Sequence, residues 1–306
     1  MNLARAKMRH LLEIDDVVRQ ELEQICQFAV ADRSSFGPLL QGRGVAAIFE
    51  KPSSRTRNST EMAIVDLGGH PVYITDAEVG IDSRESAEDV ARVLACYHAA
   101  ISARVNDHRV LERMAAVDLV PIINLLSDEA HPLQAIADVL TIRAEFGTVR
   151  GVTVAYIGDA NNVARSLAMA VTFLGGKMVM ASPPGYGFSR ANRERLAMCG
   201  VELTTFNRPE EAVAEANVVY TDTWVSMGQE DERSDRRKAF EGFSVDDRLM
   251  TFSPHSIFMH CLPAHRGEEV SASVIDGERS RVWWQAANRQ AAMRGVLLWL
   301  ASIGVL

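Results

Sequence analysis

Val45-Ala46-Ala47-Ile48-Phe49-Glu50-Lys51-Pro52-Ser53-Ser54-Arg55-Thr56-Arg57-Asn58-Ser59 begins as an apolar run and turns, through hydroxyl and guanidinium side chains, into the helical pattern of Glu61 to Leu67. An apolar strand, a polar turn and a helix in that order make one β-α unit of a parallel sheet. The alternation continues outward. The further strand candidates are Pro71-Thr75, Ala99-Ala103 and Leu119-Ile123 in the first half, and Val152-Ile157, Lys177-Ala181, Val201-Thr205, Val218-Thr221 and Ile257-His260 in the second. An N-terminal helix precedes them. The pattern predicts an α/β chain of two Rossmann-like lobes, each a parallel sheet flanked by helices, with a cleft between them. The two sets of units meet where a helix ends at Gly147 and a strand starts after Gly151. This places one domain at 1–147 and the other at 148–281. The final helical segment, about 282–306, is expected to pack back on the first.

Composition limits what such a chain can bind. Its 306 residues carry a formal charge of -8, which disfavours nucleic acid or an anionic membrane as the main partner, since both select a net basic face. An anion must therefore meet a local basic pocket. Cys26, Cys96, Cys199 and Cys261 are far apart and contain no C-x-x-C pair, so neither a disulfide framework nor a zinc site is expected. The N-terminus lacks an uninterrupted apolar signal segment, and no run of about 18 apolar residues occurs. A cytoplasmic protein with reduced thiols is the expectation. The charge-rich stretch Gln229-Lys238 reads as a solvated or gating loop.

The opening turn has the chemistry of a phosphate site. A strand-to-helix turn offers unpaired N–H groups and the positive end of the helix dipole, while hydroxyls and guanidiniums add charge-assisted bonds. Taken alone, the same residues also suit the N-cap of a solvated helix. Three other segments also follow strand candidates. His131-Pro132-Leu133-Gln134 opens a helix ending near Phe146, where His131 alone could equally be a cap. Tyr156-Ile157-Gly158-Asp159-Ala160-Asn161-Asn162 lacks the G-x-G-x-x-G fingerprint and so argues against a dinucleotide. His260-Cys261-Leu262-Pro263-Ala264-His265-Arg266-Gly267 contains a cysteine that by itself reads as a buried small hydrophobe.

These segments together resemble the aspartate and ornithine carbamoyltransferase family. Ser53-Ser54-Arg55-Thr56-Arg57 is similar to its Ser-Thr-Arg-Thr-Arg element, with serine in place of threonine at the second position. His131 to Gln134 matches H-P-x-Q, Thr221-Asp222-Thr223-Trp224-Val225-Ser226-Met227-Gly228 matches the ornithine-specific D-x-W-x-S-M-G loop, and His260 to Gly267 matches H-C-L-P-x-H-R-G. The resemblance runs colinearly from about Leu11 to Leu300. One departure stands before Arg84-Glu85-Ser86, where Ala77 to Ser83 looks longer than the family's loop and lacks its glutamine.

The resemblance implies transfer of the carbamoyl group of carbamoyl phosphate to the δ-amine of L-ornithine, giving L-citrulline and phosphate, a step of arginine biosynthesis or the urea cycle. It implies that Ser53, Ser54, Arg55 and Thr56 hold the phosphate. Arg104, His131 and Gln134 would meet the carbonyl and amide, and Arg55, Arg104, His131 and Cys261 form the catalytic set. On the amine side it implies Asn162, Asp222, Ser226, Met227, Cys261, Leu262 and Arg289, with Cys261 and Asp222 accepting or steering the proton of the nucleophile. No cofactor or metal is expected, because the acyl phosphate is already activated. Family trimers imply a homotrimer or a multiple of it. Rival readings are a carbamoyltransferase for another amine, such as putrescine or N-acetylornithine, a non-catalytic anion-binding relative, and a nicotinamide-binding protein.

Overall fold

The computed structural model describes residues 8–225 and 230–306. The chain divides into two compact units, one of residues 1–136 with 289–306 and the other of residues 137–288.

The first unit is built on a four-stranded parallel sheet in the order β2-β1-β3-β4, with β1 Gly44–Phe49, β2 His70–Thr75, β3 His98–Arg104 and β4 Ile122–Leu126. β1 is buried along nearly its whole length, as the continuous run Val45-Ala46-Ala47-Ile48-Phe49 demands of a strand covered on both faces. Ala46, Ile48, Ile101 and Ala103 of the sheet pack with Val90, Leu111 and Met114 of the helices Ala87–Ala95 and His108–Ala116. β4 begins three residues later than Leu119-Ile123 suggests. Asp118 takes a left-handed φ of 58° and Pro121 lacks an N–H, so ladder pairing starts only at Ile122, opposite Ile101.

The second unit carries a five-stranded parallel sheet in the order β7-β6-β5-β8-β9, with β5 Thr153–Ile157, β6 Lys177–Ala181, β7 Thr204–Phe206, β8 Val218–Thr221 and β9 Ile257–His260. β5, β8 and β9 are buried throughout. The edge strand β7 is shorter and later than Val201-Thr205; Val201 is buried outside the ladder and Thr204 and Thr205 face solvent. The expected loop at Gln229-Lys238 instead holds the helix Arg233–Ala239, whose Arg236 is buried; Gln229 lies outside the described residues.

In both sheets the order reverses once, between β1 and β3 in the first unit and between β5 and β8 in the second. At such a switch point the connecting helices leave to opposite faces, so a crevice opens beyond the carboxyl ends of the two strands. Phe49 is paired with Arg104, and Ile157 with Thr221, which in turn pairs with His260. The quoted turns therefore begin side by side within each unit.

Candidate active site

In the first unit the turn after β1 enters the helix Ser54–Asp66. Ser53 is its N-cap; the Ser53 Oγ accepts the Thr56 N–H at 3.4 Å and donates to the Thr56 Oγ1 at 3.0 Å. The helix thus starts several residues before Glu61. Ser54 and Arg55 stand on its exposed first turn, while Thr56 is buried. Arg57 points elsewhere, over the Tyr73 ring and to Glu61.

Arg104 closes β3 at the other side of the switch point. Its guanidinium is buried and makes no hydrogen bond or ion pair among the described residues. Burial, followed by the charges of Arg289 and Arg55, lowers its pKa to about 10. His131 precedes the helix Pro132–Phe146, and Gln134 lies buried in the first turn. Burial, with Arg289 and Arg104 nearby, pushes the His131 pKa well below 6.5, so the ring is neutral at physiological pH.

Arg289, which the resemblance groups with the amine side, belongs to the first unit with the rest of the last helix's end. Its Nη1 donates to the Gln134 Oε1 and lies 3.2 Å from the His131 Nε2, while its Nη2 donates to the Thr56 Oγ1 at 3.3 Å. The helix Val282–Ser302 carries it there; no local pattern in the last helix encodes that partner set. Arg55, Arg104, Arg289, a neutral imidazole and hydroxyls thus share one concentration of donors and positive charge, suited to an anion with a polar carbonyl.

In the second unit Asp222 follows β8 and is buried. The Cys261 Sγ donates to the Asp222 Oδ1 at 2.9 Å, so the expected thiol–carboxylate pair is brought together from two neighbouring strands. Leu262 has a left-handed φ of 61°, a conformation a branched side chain adopts only under constraint. The constraint is visible: the Leu262 N–H donates to the His260 Nδ1 at 2.9 Å, and the His260 N–H donates to the Gln285 Oε1. Buried Glu269 lies 3.3 Å from the His260 Nε2, an ion-pair distance without hydrogen-bond alignment.

Asn162 is the first residue of the helix Asn162–Phe173, and its Oδ1 accepts the Val163 N–H. It is Asn161, the N-cap, whose amide donates to the Asp222 Oδ2 at 2.8 Å. Trp224 is a packed aromatic, stacked on Phe240 with ring centroids 5.4 Å apart. Arg236 holds that segment by donating to the Trp224 carbonyl and the Asp159 carboxylate; burial, opposed by Arg236, leaves Asp159 above the usual carboxyl range. Ser226 and Met227 lie outside the described residues. Asn161 and Arg236 are the polar groups that linear reading passes over; the N-cap position of Asn161 was a usable signal, whereas nothing local marks Arg236.

Two family models cover the chain in succession. Residues 9–144 match the carbamoyl-P binding domain of aspartate/ornithine carbamoyltransferase, and residues 150–300 match the Asp/Orn binding domain. The chain belongs to the aspartate/ornithine carbamoyltransferase family. Within that family it is 40% identical over 301 residues to an ornithine carbamoyltransferase of Haloquadratum walsbyi, covering 97% of this chain and 99% of the relative. It is 47% identical over 264 residues to the anabolic ornithine carbamoyltransferase of Pyrococcus furiosus, covering 85% of this chain and 84% of that one. A solved structure of ornithine carbamoyltransferase from Pyrococcus furiosus superposes with a TM-score of 0.89 at 44% identity, over 95% of this chain and 96% of that chain. The carbamoyltransferase assignment thus spans both units.

Proposed function

We propose that this chain transfers the carbamoyl group of carbamoyl phosphate to the δ-amine of L-ornithine, giving L-citrulline and phosphate in arginine biosynthesis. The observation that carries the reading is Arg104, a buried guanidinium that lacks an acceptor among the described residues and sits with neutral His131 and Arg289. A buried cation repelled by two others is costly unless an anion joins it. Carbamoyl phosphate supplies both a dianion and a carbonyl oxygen.

Ser53, Ser54, Arg55 and Thr56 take the phosphate, with the unsatisfied N–H groups at the start of the helix Ser54–Asp66. Arg104, His131 and Thr56 donate to the carbonyl oxygen and Gln134 to the amide end, and Arg289 joins this group rather than the amine side. As the amine attacks, negative charge grows on that oxygen; each fixed donor contributes about 3 kcal/mol to lowering the barrier. His131, being neutral, donates without serving as general base. Phosphate then departs with the C–O bond electrons, still held by the same cations.

The 1–147 segment with the last helix serves as the carbamoyl phosphate domain, and 148–281 as the ornithine domain. Asp222, with Asn162, Ser226 and Met227, recognises the α-amino acid end, while Cys261 and the Leu262 carbonyl face the δ-amine. Such an amine, with a pKa near 10.4, is neutral in only about one molecule in a thousand at pH 7.5. The Asp222–Cys261 pair steers the proton away as the nucleophile arrives. A homotrimer, or a multiple of it, in the cytoplasm completes the proposal; among the described residues no helix is long and apolar enough to cross a membrane.

A citrulline assay with carbamoyl phosphate and a panel of L-ornithine, putrescine and N-acetylornithine tests the reading. Product with ornithine is expected; product only with another amine overturns the substrate while keeping the chemistry. Light scattering on the purified protein checks the trimer.

A further inference from the structure

We propose that Asn161, backed by the Tyr156 hydroxyl, is a positioning residue that aims the Asp222 carboxylate at the ammonium group of the amine substrate. This rests on the ornithine reading above and adds to it two residues outside the motif's expected contacts.

Two contacts fix the Asn161 amide. Its Oδ1 accepts the Ala164 N–H at 3.0 Å as the N-cap of the helix Asn162–Phe173, and accepts the Tyr156 hydroxyl at 3.2 Å. With its oxygen occupied twice, the amide cannot flip, and its Nδ2 must face Asp222, where it lies 2.8 Å from Oδ2. The Tyr156 ring is fully buried and stacked on Tyr220 with centroids 5.5 Å apart, so the hydroxyl is held by packing. Burial and the charges of Asp222, Cys261 and Asp159 push its pKa well above 10, which keeps it a donor.

On the other oxygen, Asp222 Oδ1 accepts the Thr223 N–H at 2.8 Å and the Cys261 thiol at 2.9 Å. A carboxylate has about four acceptor sites. Three are thus filled by groups of rigid elements, and the remaining one, on Oδ2, is left for the ligand with its direction set. A free aspartate would spend rotamer entropy on reaching this geometry at each binding event. The relay removes that cost, and its loss falls on the amine substrate alone.

The test is steady-state kinetics of Asn161→Ser and Tyr156→Phe in the full-length enzyme. Serine retains an N-cap oxygen but lacks the amide N–H that reaches Asp222, and phenylalanine keeps the stacked ring. Asn161→Ser is expected to raise the KM for ornithine about ten-fold or more and Tyr156→Phe about three-fold, with the KM for carbamoyl phosphate unchanged in both. An ornithine KM within two-fold of the parent in folded Asn161→Ser, or in Tyr156→Phe should the first fail to fold, overturns the relay. Equal increases in both KM values do the same, by showing a merely structural role. A parent enzyme that forms no citrulline from ornithine removes the functional reading itself, and the relay with it.

Discussion

Replacing Arg104 by methionine should make the substrate-free protein more stable while nearly abolishing its activity. The Arg104 guanidinium is buried beside Arg55 and Arg289, and its pKa falls from 12.5 to about 10. At about 1.4 kcal/mol per ten-fold change in proton affinity, the folded protein sacrifices about 3 kcal/mol to keep this cation charged. Methionine retains the apolar stem and the buried volume, so most of the packing survives. The net gain expected is about 1–3 kcal/mol, read as a higher urea midpoint at constant m in phosphate-free buffer. Catalysis should fall about 10²–10³-fold in kcat, the usual consequence of removing one donor to a developing oxyanion. Phosphate should raise the midpoint of the parent far more than that of the variant, because ligand binding adds stability only where the site is intact. A variant less stable than the parent in phosphate-free buffer would mean instead that Arg104 is satisfied by partners other than substrate.

Burial and neighbouring guanidiniums keep His131 neutral well below pH 6.5, so below that pH the unfolded chain binds a proton that the folded one does not. Stability is present in full above the unfolded pKa and is lost as pH falls through it; between pH 7.5 and 5.5 this site should cost the parent roughly 1.4 kcal/mol relative to His131→Asn, and equal pH slopes in urea titrations would contradict that. Asp222→Asn should raise the KM for ornithine at least ten-fold, the scale of a lost charged hydrogen bond, while leaving the KM for carbamoyl phosphate within two-fold; parallel changes would argue against the assigned division. Gly295→Ala should destabilise despite its better helix propensity: the new Cβ would meet the Ile25 carbonyl at 2.5 Å and the Ala29 Cβ at 2.9 Å. Overpacking of about 1–3 kcal/mol exceeds the roughly 1 kcal/mol propensity gain, so a thermal midpoint at or above the parent's would show that the helices can part there.

Much of the strand set was legible because buried parallel strands have little freedom in composition. Lys177-Ala181, Val218-Thr221 and Ile257-His260 occupy the strands their apolar runs suggest. Where the context is an edge, as at β7, or a turn with a left-handed residue, as at Asp118, the same apolar letters moved by about three residues. The last helix was equally visible as Val282 to Leu300. The partners of Arg289 were not, because a helix fixes spacing along its own axis and says nothing of what crosses it.

The same division holds for the chemistry. Residue order alone determined the α/β class, the family and the turns that carry polar groups, since each is written in contiguous letters and in the strand-to-helix rhythm. Only the folded chain decided that Arg289 joins Thr56, His131 and Gln134, that Asn161 rather than Asn162 grips Asp222, and that Cys261 meets that same carboxylate. For the contact of Asn161 with Asp222 the physical reason is sheet order. A reversal between β1 and β3, and another between β5 and β8, sets strand ends side by side that lie dozens of residues apart in sequence.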